Sequence, residues 1–215
     1  MNVFVHNVNP IPIVKIDLQP HEFITLEEVN KLKELELYDK FNMGLSVSYK
    51  LIEETGLERI GQVFDRYVDY YVKQILGLEN RFSRTQSWLT VHNEGSEHHN
   101  HFHPNSMIAA VLYFNETMTA DPMAPLIVTI PGTDNIFPNF KFLMDINENN
   151  MYNYTEYTLY PITNRMFIFP AHLMHKTLPE NGNIKRYAIG TNYFINDSIR
   201  LYSVLENIKV SVSAN

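Results

Sequence analysis

The sequence contains no cysteine, which excludes disulfides, thiolate metal sites and cysteine nucleophiles. It has no apolar run near the ~20 residues that a bilayer-spanning helix needs, so no membrane partner is expected. Residues Met1 to Lys15 lack a basic start followed by a long apolar stretch. No secretory signal is therefore expected, and the cytoplasm is the expected location. An excess of positive charge is also missing. The formal net charge is -7 and the pI about 5.7, and the scattered Lys and Arg build no basic face. That argues against a nucleic-acid partner. There is no internal repeat, low-complexity tract or Gly/Ser/Pro linker. The 215 residues are 45% hydrophobic and 19% charged, so a single domain with a substantial core is expected over 1–215.

What is present divides by periodicity. Thr25 followed by Glu28 is a capping-box pattern that predicts a helix running to about Phe41. Ile60, Val63, Phe64, Tyr67, Val68, Tyr71, Val72 and Ile75 recur at helical spacing and predict a second helix that stops at Gly77. Beyond Arg81 the pattern changes to short strands: Ser87–His92, Met107–Phe114, Leu126–Ile130, Thr155–Tyr160, Met166–Phe169 and Tyr187–Ile195. Met107–Phe114 is apolar almost throughout, as in a strand buried on both faces. The expected order is helical support over 1–80, a β sandwich or barrel over 81–195, and a C-terminal extension over 196–215. The run Leu201 to Val212 reads as a last strand or an interface element, and a homodimer is left open. The Asn-rich segment Gly132 to Asn153, with Phe137, Phe140, Phe142 and Tyr152, is expected to form a loop bordering a site.

The histidines are unevenly placed. His92, His98, His99, His101 and His103 cluster, and His172 and His175 form a second group. Residues two apart in an extended segment point the same way, so His101 and His103 can offer both imidazoles to one metal ion. His175, just after a strand and Pro170, stands at a strand-to-loop junction suited to presenting another ligand. On the cluster alone, a solvated polar tract is an equal reading. His92, His98 and His99 are taken as surface or supporting residues, and His172 as a packing residue.

Arg186 begins a segment that alternates as a strand. One face carries Arg186, Ala188, Gly190 and Asn192, the other Tyr187, Ile189, Thr191 and Tyr193. The first face, small and polar around one guanidinium, suits a cavity wall that binds a carboxylate through two parallel hydrogen bonds. Taken alone, Arg186 reads better as a surface arginine on an edge strand.

The ordered set His101-Phe102-His103-Pro104-Asn105-Ser106, Val111-Leu112-Tyr113-Phe114, Phe169-Pro170 with His175, and Arg186 resembles the 2-oxoglutarate- and Fe(II)-dependent oxygenases. More narrowly, it looks like the small oxygenase-like proteins of phages and bacteria, a subgroup that Trp88 and Asn192 also fit. The resemblance covers roughly residues 84 to 195. It implies a mainly β fold with N-terminal helices, a double-stranded β-helix of the jelly-roll, cupin-like kind. It implies Fe(II) on a facial set of protein ligands, with 2-oxoglutarate and O2 as cosubstrates. His101 and His175 match the family's two histidines, and Arg186 the residue that pairs with the far carboxylate of 2-oxoglutarate. Tyr113 matches a strand tyrosine that often contacts the same carboxylate, with a core aromatic as the equal alternative. Asn105 and Asn192 are candidates for cosubstrate contact or for orienting the ligands. The implied reaction converts 2-oxoglutarate to succinate and CO2 and hydroxylates a C–H bond of a small molecule or a protein side chain. For a phage-encoded chain the location would be the host cytoplasm.

One position departs from the family pattern. Where His-x-Asp or His-x-Glu is usual, this chain has His103. A site of His101, His103 and His175 would carry no anionic protein ligand and would favour anionic cosubstrates. Glu94, Glu97 and Asp121 remain as other sources of a carboxylate. Three further functions are weighed: a cupin-like three-histidine metal protein without 2-oxoglutarate, a non-catalytic phage accessory or binding protein, and a zinc hydrolase using Glu94 or Glu97 as base. Arg186 argues against the first, since such a protein needs no carboxylate clamp.

Overall fold

The β-branched and aromatic runs of the last two-thirds of the chain become antiparallel strands, most of them in two large sheets, with a separate two-stranded pair near the C-terminal end. The computed structural model describes residues 10–40, 43–131, 147–148, 150, 153–179, 185–200 and 207–212. In chain order the elements are β1 (Val14–Asp17), α1 (Leu26–Lys33), β2 (Leu37–Lys40), β3 (Met43–Ser46), α2 (Leu51–Thr55), α3 (Glu58–Tyr70), β4 (Phe82–His92) and β5 (His98–His101). There follow β6 (Ile108–Asn115), β7 (Leu126–Thr129), β8 (Glu156–Leu159), β9 (Arg165–Pro170), β10 (His175–Thr177), β11 (Arg186–Ile195), β12 (Ser198–Arg200) and β13 (Asn207–Lys209). The major sheet has the order β1-β9-β6-β11-β4-β3-β2 and the minor sheet β5-β10-β7-β8. This is the mainly β, double-stranded β-helix arrangement expected from the sequence.

Alternation along β11 decides what each face of the major sheet meets. Tyr187, Ile189 and Tyr193 join the core under the helices, with Ile60, Phe64 and Val68 of α3. Ala188 points the other way, into the core between the sheets, with Tyr113, Phe167, Leu126 and Val128. The central strands are thus buried on both faces, which accounts for the continuous apolar run of β6. Burying a side chain such as Phe64 stabilises the fold by roughly 1.5–3 kcal/mol. The stripe on α3 continues through a π-helical turn at Tyr71–Ile75 and stops at Gly77, whose φ of +66 is left-handed.

Several expectations are corrected. The helix capped by Thr25 ends at Lys33, not near Phe41. Leu37–Lys40 is instead taken up as an edge strand against β3, and Leu35 and Leu37 pack on the helical core. The first 80 residues are therefore not purely helical: β1 pairs with β9 and β3 with β4, so three N-terminal strands widen the major sheet. Most of the loop expected over Gly132 to Asn153, including Phe137, Phe140, Phe142 and Tyr152, lies outside the described residues. So does the stretch 201–206; beyond it β13 pairs with β12. Among the described residues no helix is long and apolar enough to cross a membrane.

Candidate metal centre

The centre lies where the minor sheet faces β4 and β11. His101 ends β5 and His175 begins β10, and the two are direct partners in the antiparallel register. Backbone pairing thereby sets their rings 4.3 Å apart, centroid to centroid. His103 lies two residues beyond β5, its backbone N–H donating to the Ala171 carbonyl at 2.9 Å. That bond keeps the segment extended, so the His103 ring stacks at 19° to the His101 ring, on the same side. One ligand atom from each of His101, His103 and His175 lies within 4.8 Å of the others.

Each of the three rings is fixed through Nδ1. His175 Nδ1 meets the Leu173 carbonyl at 2.8 Å, and His101 Nδ1 the His99 carbonyl at 2.8 Å. His103 Nδ1 meets Asn192 Oδ1 at 2.6 Å. A carbonyl oxygen only accepts, so each Nδ1 carries the hydrogen and each Nε2 keeps its lone pair. Such partners are how proteins fix the tautomer and aim of metal-binding histidines. Burial first, and then the neighbouring His101, holds His175 down at about 3. Burial likewise lowers His103, against the opposing pull of Asn192. Both rings are therefore neutral, as a metal ligand must be. The donor set, three neutral imidazoles, fits a borderline divalent ion such as Fe(II).

An inner cavity extends from the histidines toward Arg186, Tyr113, Thr90 and Thr177. Arg186 starts β11, is only 1% exposed, and donates from Nη1 to the Ala124 carbonyl at 2.9 Å. Its guanidinium carbon lies 5.9 Å from the centroid of the Tyr113 ring. The buried Tyr113 hydroxyl is pushed up to about 12, so it stays protonated and able to donate. His92, beside Arg186 in the ladder, is held at about 3 by burial and then by the Arg186 charge. The cavity wall thus carries one permanent cation with neutral groups around it.

A second, outer cavity of about 280 Å³ shares His98, His101 and His103 with the first. Asn105 and Asn192 line this outer cavity, whereas Arg186 and Tyr113 line the inner one. Trp88 borders both. Its indole lies 5.4 Å from the His103 ring and 6.0 Å from Tyr49.

The remaining sequence candidates are also placed. His98 is close to His101, with ring centroids 4.1 Å apart, and His98, His99 and His101 form a second ligand-spaced group. His99 is exposed, so that group lacks the enclosure of the first. Burial and then His101 hold His98 at about 2. His92 is buried in the inner cavity wall, and His172 is exposed in the turn before β10. Glu94, Glu97 and Asp121 are exposed, and among the described residues no carboxylate joins either group. Sequence reasoning missed Gln86, Tyr49 and Leu45, which line the outer cavity. Gln86 alternates in phase with Trp88 along β4, and that phase was the available signal.

Comparison with known proteins gives a consistent picture. A family profile described as "Putative 2OG-Fe(II) oxygenase" matches residues 86–192, a stretch that includes His101, His103, His175 and Arg186. No curated protein sequence matches the chain. Among solved structures, the non-heme alpha ketoglutarate dependent epimerase SnoN from nogalamycin biosynthesis superposes with a TM-score of 0.60 at 9% identity, covering 90% of this chain and 83% of its own. A Pseudomonas putida prolyl-4-hydroxylase gives 0.55 at 13%, covering 85% and 92%. A Trichoplax adhaerens prolyl hydroxylase gives 0.55 at 14%, covering 85% and 83%. At such identities the likeness is one of fold.

Proposed function

We propose that this chain, whose residues 86–192 match the profile of 2OG-Fe(II) oxygenases, hydroxylates an organic substrate at a centre held by His101, His103 and His175, with Arg186 receiving 2-oxoglutarate. The observation that carries this reading is that all three Nδ1 atoms are engaged by oxygen acceptors, leaving three Nε2 lone pairs for one ion. Fe(II) bound there would supply activation of O2 coupled to oxidative decarboxylation of 2-oxoglutarate.

The protein's own residues do the rest. His101 and His175 hold the ion across the β5–β10 ladder, and His103 closes the set from the adjoining loop. Three neutral ligands leave the ion its full charge, which favours a dianionic cosubstrate over a neutral one. Arg186, at the far end of the inner cavity, takes the distal carboxylate in a charge-assisted pair. The Tyr113 hydroxyl donates to the same group. The apolar walls at Val111, Phe169 and Ala188 keep water from competing for these contacts.

The test is anaerobic titration of the Fe(II)-loaded protein with 2-oxoglutarate, following the weak visible charge-transfer band of the chelate. A saturable band is expected. Arg186→Ala should keep the metal and lose most of the cosubstrate affinity, by about 2 kcal/mol or more. His175→Ala should abolish tight metal binding. Metal bound without any band would instead favour a cupin-like metal site without 2-oxoglutarate.

A further inference from the structure

The outer cavity is built differently from the inner one. Among the described residues that line it there is no Asp, Glu, Lys or Arg. Its polar groups are imidazoles, the Tyr49 hydroxyl and three carboxamides, Gln86, Asn105 and Asn192. Its apolar groups are the rings of Trp88 and Tyr49 with Leu45 and Pro104. An ionised substrate entering such a cavity would lose hydration and meet no charged side chain in the described lining to offset that loss.

The carboxamides are not free to face either way. If His103 binds metal through Nε2, its Nδ1 must donate, so Asn192 must present Oδ1 to it, as at 2.6 Å. Asn192 Nδ2 is then the side that faces Gln86, donating to Oε1 at 2.9 Å. Gln86 thus has its oxygen occupied, and among the described residues no acceptor takes its Nε2 hydrogens. The relay runs in one direction, from the His103 ring through Asn192 to a carboxamide NH2 in the cavity wall. Its terminus complements a carbonyl oxygen, and Asn105, with both a donor and an acceptor, complements the rest of an amide.

Resting on the reading of the centre given above, we infer that the outer cavity takes an uncharged, amide-bearing substrate, whose carbonyl oxygen accepts from Gln86 Nε2 and whose apolar side group lies against Trp88. Gln86 is then the specificity-determining residue. Because its orientation is inherited from a metal ligand, substrate recognition and metal geometry share one hydrogen-bonded chain.

Trp88 is the protein's single tryptophan, so its fluorescence reports on this cavity directly. The full-length protein, loaded with Zn(II) and 2-oxoglutarate so that no turnover consumes the probe, would be titrated with three probes of one skeleton. These are N-acetyl-leucine methylamide, N-acetyl-leucine and leucine methylamide, which are neutral, anionic and cationic. The expected result is a saturable change with the neutral probe and binding at least about tenfold weaker for both charged ones. Gln86→Glu, which keeps an acceptor for Asn192 but removes the donors, should weaken the neutral probe about tenfold and shift preference to the cationic probe. The variant should still bind metal and 2-oxoglutarate, measured on the same samples, which separates loss of probe recognition from loss of the centre. Equal binding of charged and neutral probes, an unaltered preference in Gln86→Glu, or no neutral binding by a protein that binds 2-oxoglutarate normally would overturn the inference alone. Failure to bind 2-oxoglutarate would overturn the reading of the centre, and this inference with it.

Discussion

The indole of Trp88 lies on Gly190 of the neighbouring strand so closely that a Cβ built there would sit 2.4 Å from Cζ2 and 2.5 Å from Cε2. Only a residue without a side chain lets this ring lie flat between the two cavities. Gly190→Ala should therefore push the indole toward His103 and destabilise the protein by about 1–3 kcal/mol, the usual cost of overpacking. Urea unfolding would measure the loss, and a shift in the Trp88 emission maximum would report the displaced ring. A variant with native stability and an unshifted emission would show that the contact can be relieved elsewhere.

Acid should destabilise the metal-free protein over a defined window. His92 and His175 are depressed from 6.5 to about 3, in both cases first by burial. Above about pH 6.5 neither the folded nor the unfolded chain protonates these rings, and stability is full. Below it the unfolded chain takes up protons that the folded chain refuses until about pH 3, so stability falls with pH through that range. Between pH 7 and pH 5 the loss should be on the order of 1–2 kcal/mol for each ring. The check is the urea midpoint of metal-free protein across this range. A flat midpoint would mean that these rings are hydrated enough to protonate in the folded state.

Asn192 touches no metal in this reading, yet metal affinity should depend on it. Asn192→Ala removes the acceptor of His103 Nδ1 and leaves that ring free to turn. Loss of such a partner lowers metal affinity by about 10–100-fold. Competition against a chromophoric chelator would measure this. Asn192→Asp, which keeps an acceptor for His103, should retain more affinity than the alanine variant.

The N-terminal cap offers a prediction remote from the centre. Thr25 Oγ1 accepts from the Glu28 N–H at 3.2 Å, and Glu28 reaches back to the Thr25 N–H at 2.7 Å. Thr25→Ala should cost about 1 kcal/mol by thermal or urea unfolding. Glu28→Ala should cost more, because Glu28 also receives Arg59 Nε at 3.0 Å and ties α1 to α3.

The cap was legible because a capping box is a local pattern, whereas the end of α1 was not. No Gly or Pro stands between Lys33 and Leu37, and the chain leaves the helix because β3 offers an edge for Leu37–Lys40 to pair with. That information lies in the partner strand, not in the segment. The same contrast divides the centre. The alternation of Arg186, Ala188, Gly190 and Asn192 on one face was readable, since the strand holds its phase as far as the irregularity after Asn192. What periodicity could not tell was that this one face borders two cavities, with Arg186 in the inner and Asn192 in the outer. Gln86 drew no notice because a glutamine in a strand has no chemistry of its own. Its interest comes from Asn192, its partner from 106 residues away.

The β5–β10 ladder has one more consequence. β5 is the outermost strand of the minor sheet, joined to β10 at His175↔His101 and Thr177↔His98 with an irregularity between them. An ion held by His101 and His175 would fasten those same two strands, acting as a clasp on the rim of the molecule. Without it, a short edge strand would fray and offer its backbone to proteases or to the edges of other chains. Iron supply would then set how long each copy of the protein survives, as well as how many copies can work.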